Sequence, residues 1–250
     1  MNRTENVLIT GAGAGICAEV ARRLATQGHR LILVDRDAAA LTAVAREVGA
    51  AALTVEPWVV DVQDVAAVER HFAALGAGER PTALLNGVGG DARRRPVTEL
   101  CESDLLDSFL HNVVTAFTLI RLVVPEMTTQ GYGRIVNLAS IAGRSYSVFS
   151  NAAYVTAKAA LLGLTKQYAW ELAPLGVTVN AVAHGPIATD RIAAAWRAKS
   201  EEERRELTAQ IPVGRLGTVA EAAHLVLPFL AGPSGFATGA VLDVSAGMAI

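Results

Sequence analysis

Residues 10–17 read TGAGAGIC, between the apolar run NVLI (6–9) and the helix-periodic stretch AEVARRLATQG (18–28). Three glycines at alternate positions, where strand-like sequence meets helix-like sequence, make a turn that gathers backbone N–H groups at a helix N-terminus. The helix dipole favours an anion there. Gly11 can supply the turn and Gly15 can let a pyrophosphate approach the backbone. The spacing is not G-x-G-x-x-G and a cysteine closes the series, so alone the stretch fits a phosphate cradle and an ordinary strand-to-helix turn equally.

Outward from that turn, apolar runs of strand length alternate with helical periodicity. NVLIT leads to a helix around 15–27, then RLILVD and DAAALTAVAREVG; PWVVD, VQDVAAVERHFAAL and TALLN follow. A long helix over roughly 103–129 precedes GRIVNLAS, a second helix holds AAYVTAKAALLGLTKQYAWELAPLG, and VTVNAVA, a helical region to about 230 and GAVLDV complete the series. Continuous apolar strands mean burial on both faces, hence a parallel sheet covered by helices. Seven of them imply a Rossmann-type, doubly wound α/β fold: a seven-stranded parallel sheet in a three-layer αβα sandwich, one domain over 1–250. The long irregular piece 87–102 and an insertion-like region from His184 to about Gly217 are expected to line the site, the second as a substrate lid.

The 250 residues are 52% hydrophobic and 18% charged with a formal charge of −2, which gives no electrostatic argument for nucleic acid or an anionic membrane. Cys17 and Cys101 make no metal or disulfide pattern. MNRTENVLIT has no apolar signal core, and the apolar run Ala222–Leu242 is broken by Pro228 and GPSG, so neither a signal peptide nor a membrane span is expected. These readings lead to the expectation of a cytoplasmic protein.

Distance sharpens the glycine turn. Asp35 ends the second strand, 20 residues beyond Gly15, where an acid can hydrogen-bond the adenosine ribose and repel a 2′-phosphate; this favours NAD over NADP. Arg36, next in sequence, can soften that preference by pairing with a phosphate. Asp61 can meet the adenine edge or simply cap the helix that follows. Further on, Tyr154 and Lys158 lie four apart on one helical face, where an ammonium can lower the pKa of a phenol. Ser140 ends the strand GRIVNLAS at the carboxyl edge of the sheet, and Asn112 is a polar side chain amid an apolar helix, in need of a partner such as a water shared with Lys158.

The glycine turn, the acid after strand 2, Asn112, Ser140 and Y-x-x-x-K together resemble the short-chain dehydrogenase/reductase family, of the single-domain 3-oxoacyl-carrier-protein-reductase type, from VLITGAGAG to TGAVLDVSAG. The resemblance implies a tetrad. Tyr154 exchanges a proton with the substrate oxygen, Ser140 orients that oxygen, Lys158 tunes Tyr154 and grips the nicotinamide ribose, and Asn112 anchors a proton relay. It further implies NAD contacts from Gly11, Ala14, Gly15, Ile16, Asp35, Arg36, Asp61, Val62, Asn86, Gly87, Tyr154, Lys158, Ile187 and Thr189, with the last two pairing the carboxamide. A homotetramer is implied through the helices around 103–129 and 152–174, with a dimer as second choice.

Three positions depart from the family's pattern: Cys17 where glycine is usual, Gly87–Val88 where Asn-Ala is usual, and His184 where proline is usual. His184 reads either as an added catalytic group or as a tolerated loop substitution. Arg93, Arg94 and Arg95 can recognise an anionic substrate or can be a solvated charge run. Ser140, Tyr146, Phe149 and Trp196 are candidates for the substrate side, Trp196 on the lid. The function read from the sequence is NAD(H)-dependent interconversion of a secondary alcohol and a ketone: a hydroxy acid, a sugar or a 3-oxoacyl compound. The alternative is a catalytically silent dinucleotide-binding regulator. An isomerase or lyase holding NAD fits less well.

Overall fold

The computed structural model describes residues 3–76, 78–90 and 92–248. Strands β1 (Asn6–Thr10), β2 (Arg30–Asp35), β3 (Thr54–Val59), β4 (Ala83–Asn86), β5 (Gly133–Ser140), β6 (Val177–His184) and β7 (Val241–Val244) form one seven-stranded sheet in the order β3-β2-β1-β4-β5-β6-β7. Every neighbouring pair is parallel. The chain runs outward from β1 to β3, then returns to set β4 on the other side of β1. The crevice outside the carboxyl ends of β1 and β4 is therefore the topological switch point, the place where such sheets bind ligands.

Alternate residues of β1 feed two separate cores. Val7 and Ile9 pack with helices α1 (Gly15–Thr26) and α2 (Ala38–Val48), whereas Leu8 packs with α3 (Val65–Ala74). The central strands are buried on both faces, as their apolar runs require. β3 departs from that expectation: Thr54, Glu56, Pro57 and Val59 are exposed. It is an edge strand, where a proline lacking an N–H is tolerated.

The stretch expected as one helix over 103–129 is continuous but not uniform. It comprises α4 (Glu102–Phe109), a π-helical turn at Leu110–Val114 and α5 (Thr115–Thr129). Asn112 Nδ2 donates to the Ser108 carbonyl at 2.8 Å and Thr115 Oγ1 to that of His111 at 2.7 Å, so side chains take places on carbonyls of the regular ladder. By length and composition alone this helix could cross a membrane, and 44% of its most apolar window is buried within the protein. Beyond it lie α6 (Ala152–Leu172), α7 (Asp190–Arg197), α8 (Glu201–Ala209) and α9 (Val219–Leu230). The segment Ala222–Leu242 divides into the end of α9, a turn and the start of β7.

Candidate active site

The glycine turn begins with Thr10, whose hydroxyl lies at 3.3 Å from the Leu85 carbonyl and accepts the Gly87 N–H at 3.0 Å, so β1 and the loop after β4 are clamped together. Gly11 (φ +67°) and Gly15 (φ +57°) both have left-handed backbones, which glycine adopts without penalty. Helix α1 starts at Gly15 with Ala14 as its N-cap, and no side chain among the described residues caps it. Its first-turn N–H groups are thus left for an anion. Sequence reasoning passed over Gly13. Its N–H donates to Asp35 Oδ2 at 2.9 Å, and a Cβ there would stand 2.9 Å from that same oxygen. Asp35 is thereby brought from the end of β2 onto the turn, and its Oδ1 accepts the Asp37 N–H at 3.0 Å.

At the adenine end, Arg36 reaches Asp61 Oδ2 at 3.4 Å, so its guanidinium is matched by a carboxylate. Asp61 Oδ1 accepts the Gln63 N–H at 3.0 Å; the cap of α3 is Asp64, not Asp61. Val62 is buried beside them. The segment after β6 folds over the turn: Thr189 Cγ2 would lie 3.2 Å from a Cβ on Gly15, Ile187 bridges Gly217, and Thr189 caps α7. The structure therefore brings Gly11, Ala14, Gly15, Ile16, Asp35, Ile187 and Thr189 to one crevice. These features fit a dinucleotide: unanswered helix N–H groups, glycines that admit close approach and an acid at the rim.

The second half of the site lies on β5 and α6. Ser140, the last residue of β5, accepts the Ala142 N–H at 3.1 Å, and its hydroxyl lies near enough to the Tyr154 phenol to lower its pKa. Asn151 caps α6 by accepting the Tyr154 N–H at 2.9 Å. Lys158, one turn beyond Tyr154, is buried; its Nζ donates to the Leu138 carbonyl at 2.8 Å and lies 5.6 Å from the Tyr154 ring centroid. Asn112 Oδ1 is buried without a hydrogen-bond partner among the described residues. A Cβ on Gly89 would stand 3.1 Å from that oxygen and 3.6 Å from Lys158 Nζ, so both flank the loop after β4. An orphaned acceptor beside an ammonium is a site for a bridging water.

The expected depression of the Tyr154 pKa is not what the protein alone produces. Burial pushes the phenol above its ordinary value, against a smaller opposing effect of the Ser140 hydroxyl. Burial also brings Lys158 down to about 8. Desolvation sets both directions: the ammonium is held by the Leu138 carbonyl and lies over the Tyr154 ring, 5.6 Å from its centroid, rather than on the phenol oxygen.

Other expected residues fall elsewhere. Asn86 Nδ2 donates to Asn137 Oδ1 at 2.8 Å and Asn137 Nδ2 to Thr165 Oγ1 at 2.9 Å, a buried polar chain tying β4, β5 and α6. Asn137 and Thr165 gave no signal beyond being polar in apolar runs. Arg95 is paired with Asp104 at 2.6 Å, and the Arg93 carbonyl accepts from Asn151 Nδ2 at 2.8 Å, so this loop is fastened to α4 and α6. Arg94 and Tyr146 are exposed, while Trp196 and Phe149 are half-buried. His184 is not in a loop: it ends β6 in register with Ser140, buried, with Nε2 turned to the Ala222 carbonyl at 3.4 Å and burial lowering its pKa to about 4. Cys17, in the first turn of α1, is buried, and burial pushes its thiol up to about 12. No cluster of metal-ligating side chains occurs among the described residues.

The short chain dehydrogenase family model matches residues 5–200. Galactitol 2-dehydrogenase (L-tagatose-forming) of Cereibacter sphaeroides is 37% identical over 247 residues, covering 97% of this chain and 94% of its own. A crystal structure of a 3-oxoacyl-[acyl-carrier protein] reductase from Brucella melitensis with bound NAD has 29% identity and a TM-score of 0.83, over 98% of this chain and 90% of that one. A single-site variant of actinorhodin polyketide ketoreductase with NADPH has 31% identity and a TM-score of 0.89, over 100% and 99%. Since the match runs through both halves of the crevice, the chain belongs to the short-chain dehydrogenase/reductase family, as an oxidoreductase of ketone and alcohol substrates that binds a nicotinamide dinucleotide.

Proposed function

We propose that the chain uses NAD(H) to interconvert a secondary alcohol and a ketone. The observation that carries the cofactor choice is Asp35, drawn onto the glycine turn by Gly13. A fixed carboxylate at that rim accepts from ribose hydroxyls and repels a 2′-phosphate, and the neighbouring Arg36 has part of its charge answered by Asp61. The dinucleotide carries the hydride. Gly11, Ala14, Gly15 and Ile16 hold its pyrophosphate on the N-terminus of α1, Asp35 its adenosine ribose, and Asp61 with Val62 border the adenine. Gly87, Ile187 and Thr189 border the nicotinamide side, with Asn86 holding β4 behind it.

Tyr154 is the acid–base group. Held protonated at neutral pH by burial, it donates to the oxygen of a ketone, which Ser140 holds beside it. Lys158 steadies the developing phenolate and grips the nicotinamide ribose, and the free Asn112 acceptor anchors the water that returns the proton. Arg95 is engaged by Asp104, which supports a neutral polyol or hydroxyketone over an anionic substrate, in keeping with the galactitol dehydrogenase relative. The free cysteines Cys17 and Cys101 support a reducing, cytoplasmic setting.

The test is NADH disappearance against a panel of ketoses, hydroxyketones, oxo acids and 3-oxoacyl thioesters. Tyr154→Phe is expected to lower kcat by about 10²–10⁴-fold, the usual range for a lost acid–base group, while NADH still binds. Saturable NADH binding with no turnover on any substrate class would favour the silent regulator instead.

A further inference from the structure

Two of the three departures from the family's pattern, Cys17 and Gly87, meet in space. A Cβ on Gly87 would fall inside the volume held by Cys17 Sγ and come within 2.5 Å of the Thr10 carbonyl oxygen, while staying 3.6 Å from Cys17 Cβ. The Gly87 backbone is held from its other sides too: its N–H donates to Thr10 Oγ1 at 3.0 Å, and its carbonyl oxygen would lie 3.3 Å from a Cβ on Gly11. The thiol is the nearer of two obstacles to a side chain at 87, the Thr10 carbonyl oxygen being the other, so removing the sulfur relieves the larger part of the clash and the loop must still shift slightly off Thr10. The thiol lies where the pyrophosphate turn of β1 meets the loop after β4, and that loop goes on to Gly89 and Gly90, which pack on Asn112 and, for Gly89, near Lys158.

We infer that Cys17 and Gly87 form a size-matched joint that sets the spacing between the dinucleotide turn and the catalytic wall, with Cys17 as a positioning residue for the cofactor. The joint rests on the dinucleotide-binding reading above. It is a packing device: the thiol is buried and undergoes no chemistry. Enlarging one side without shrinking the other forces the loop off the turn, because a packed interior absorbs an added methyl only by moving backbone.

The experiment is a double-mutant cycle on Cys17→Ala and Gly87→Ala, read by NADH fluorescence titration, by KM for NADH against kcat, and by thermal unfolding. Alanine at 17 keeps helix propensity, so the substitution reports on the lost sulfur. Cys17→Ala alone is expected to weaken NADH binding about 3-fold by leaving a small void, and Gly87→Ala alone by more than about 10-fold, with the loss in KM exceeding the loss in kcat. The double variant is expected to bind NADH better than Gly87→Ala. A change harmful alone would then be beneficial beside its partner, which independent sites do not show. If the double variant binds as weakly as the product of the single losses, the joint does not exist. If Gly87→Ala does not fold, a folded double variant supports the joint and an unfolded one overturns it. Failure of the parent protein to bind NADH or NADPH would refute the dinucleotide reading itself, a result separate from any outcome of the cycle.

Discussion

At the scale of single residues, burial governs the chemistry. Tyr154 and Lys158 are displaced in opposite directions by one cause, loss of water, so the pair rests as a protonated phenol beside an ammonium whose pKa is near 8. His184 obeys the same rule and gives a prediction about stability. Its folded pKa, about 4, lies below the 6.5 of an unfolded chain, so the unfolded state takes up a proton first. The contribution of the neutral imidazole is complete above pH 6.5 and disappears as pH falls from there to about 4, by up to about 3 kcal/mol. Urea midpoints measured at pH 7 and pH 5 should show that acid-side loss in the parent and a flatter profile in His184→Gln. Equal slopes in the two proteins would remove His184 as the cause. That Asp35 ends β2 beside the glycine turn, and that Ser140 lies with Tyr154 and Lys158, was legible in the sequence, because strand ends and one helical turn set those positions. The sequence did not tell that Gly13 draws Asp35 inward or that His184 faces α9, since those depend on which way a side chain leaves a strand.

At the scale of elements, the joints between segments carry the site. Asn151 illustrates this: it caps α6 at Tyr154 and donates to the loop carbonyl of Arg93. Asn151→Ala should lower the unfolding temperature by about 2–4 °C, the usual effect of about 1 kcal/mol in a chain of this size. Asn151→Asp keeps an acceptor for the cap but turns a buried carboxylate oxygen toward the Arg93 carbonyl, so it should push the loop away and raise the substrate KM. Parental KM in both variants would show that the loop does not depend on this contact. The π-helical turn at Leu110–Val114 was not legible in a helix read over 103–129, because periodicity reports which faces are apolar and not which carbonyls side chains occupy. The strand series was legible because parallel strands buried on both faces leave unbroken apolar runs. The edge strand β3 escaped that rule through Pro57 and its exposed face.

At the scale of the whole molecule, the helix Glu102–Thr129 presents Leu106, Leu110, Val114 and Phe117 to solvent in one stripe, and Trp170 on α6 is 76% exposed. Such a face is expected to be covered by further copies of the chain, as the family resemblance implies. Light scattering on the purified protein should give about four times 26.1 kDa, and Leu106→Glu with Phe117→Glu should lower that mass. A monomer at micromolar concentration would contradict the tetramer. The proposed use of NAD(H) on ketones and alcohols turns on one carboxylate, Asp35, at the rim of the crevice. The most direct test is a pair of titrations, NADH and NADPH against the parent and against Asp35→Ala. The parent is expected to bind NADH at least about 10-fold more tightly, a difference of about 1.4 kcal/mol, and the variant to lose most of this preference. Tighter binding of NADPH by the parent, or a preference unchanged in Asp35→Ala, would contradict the proposed use of NAD(H).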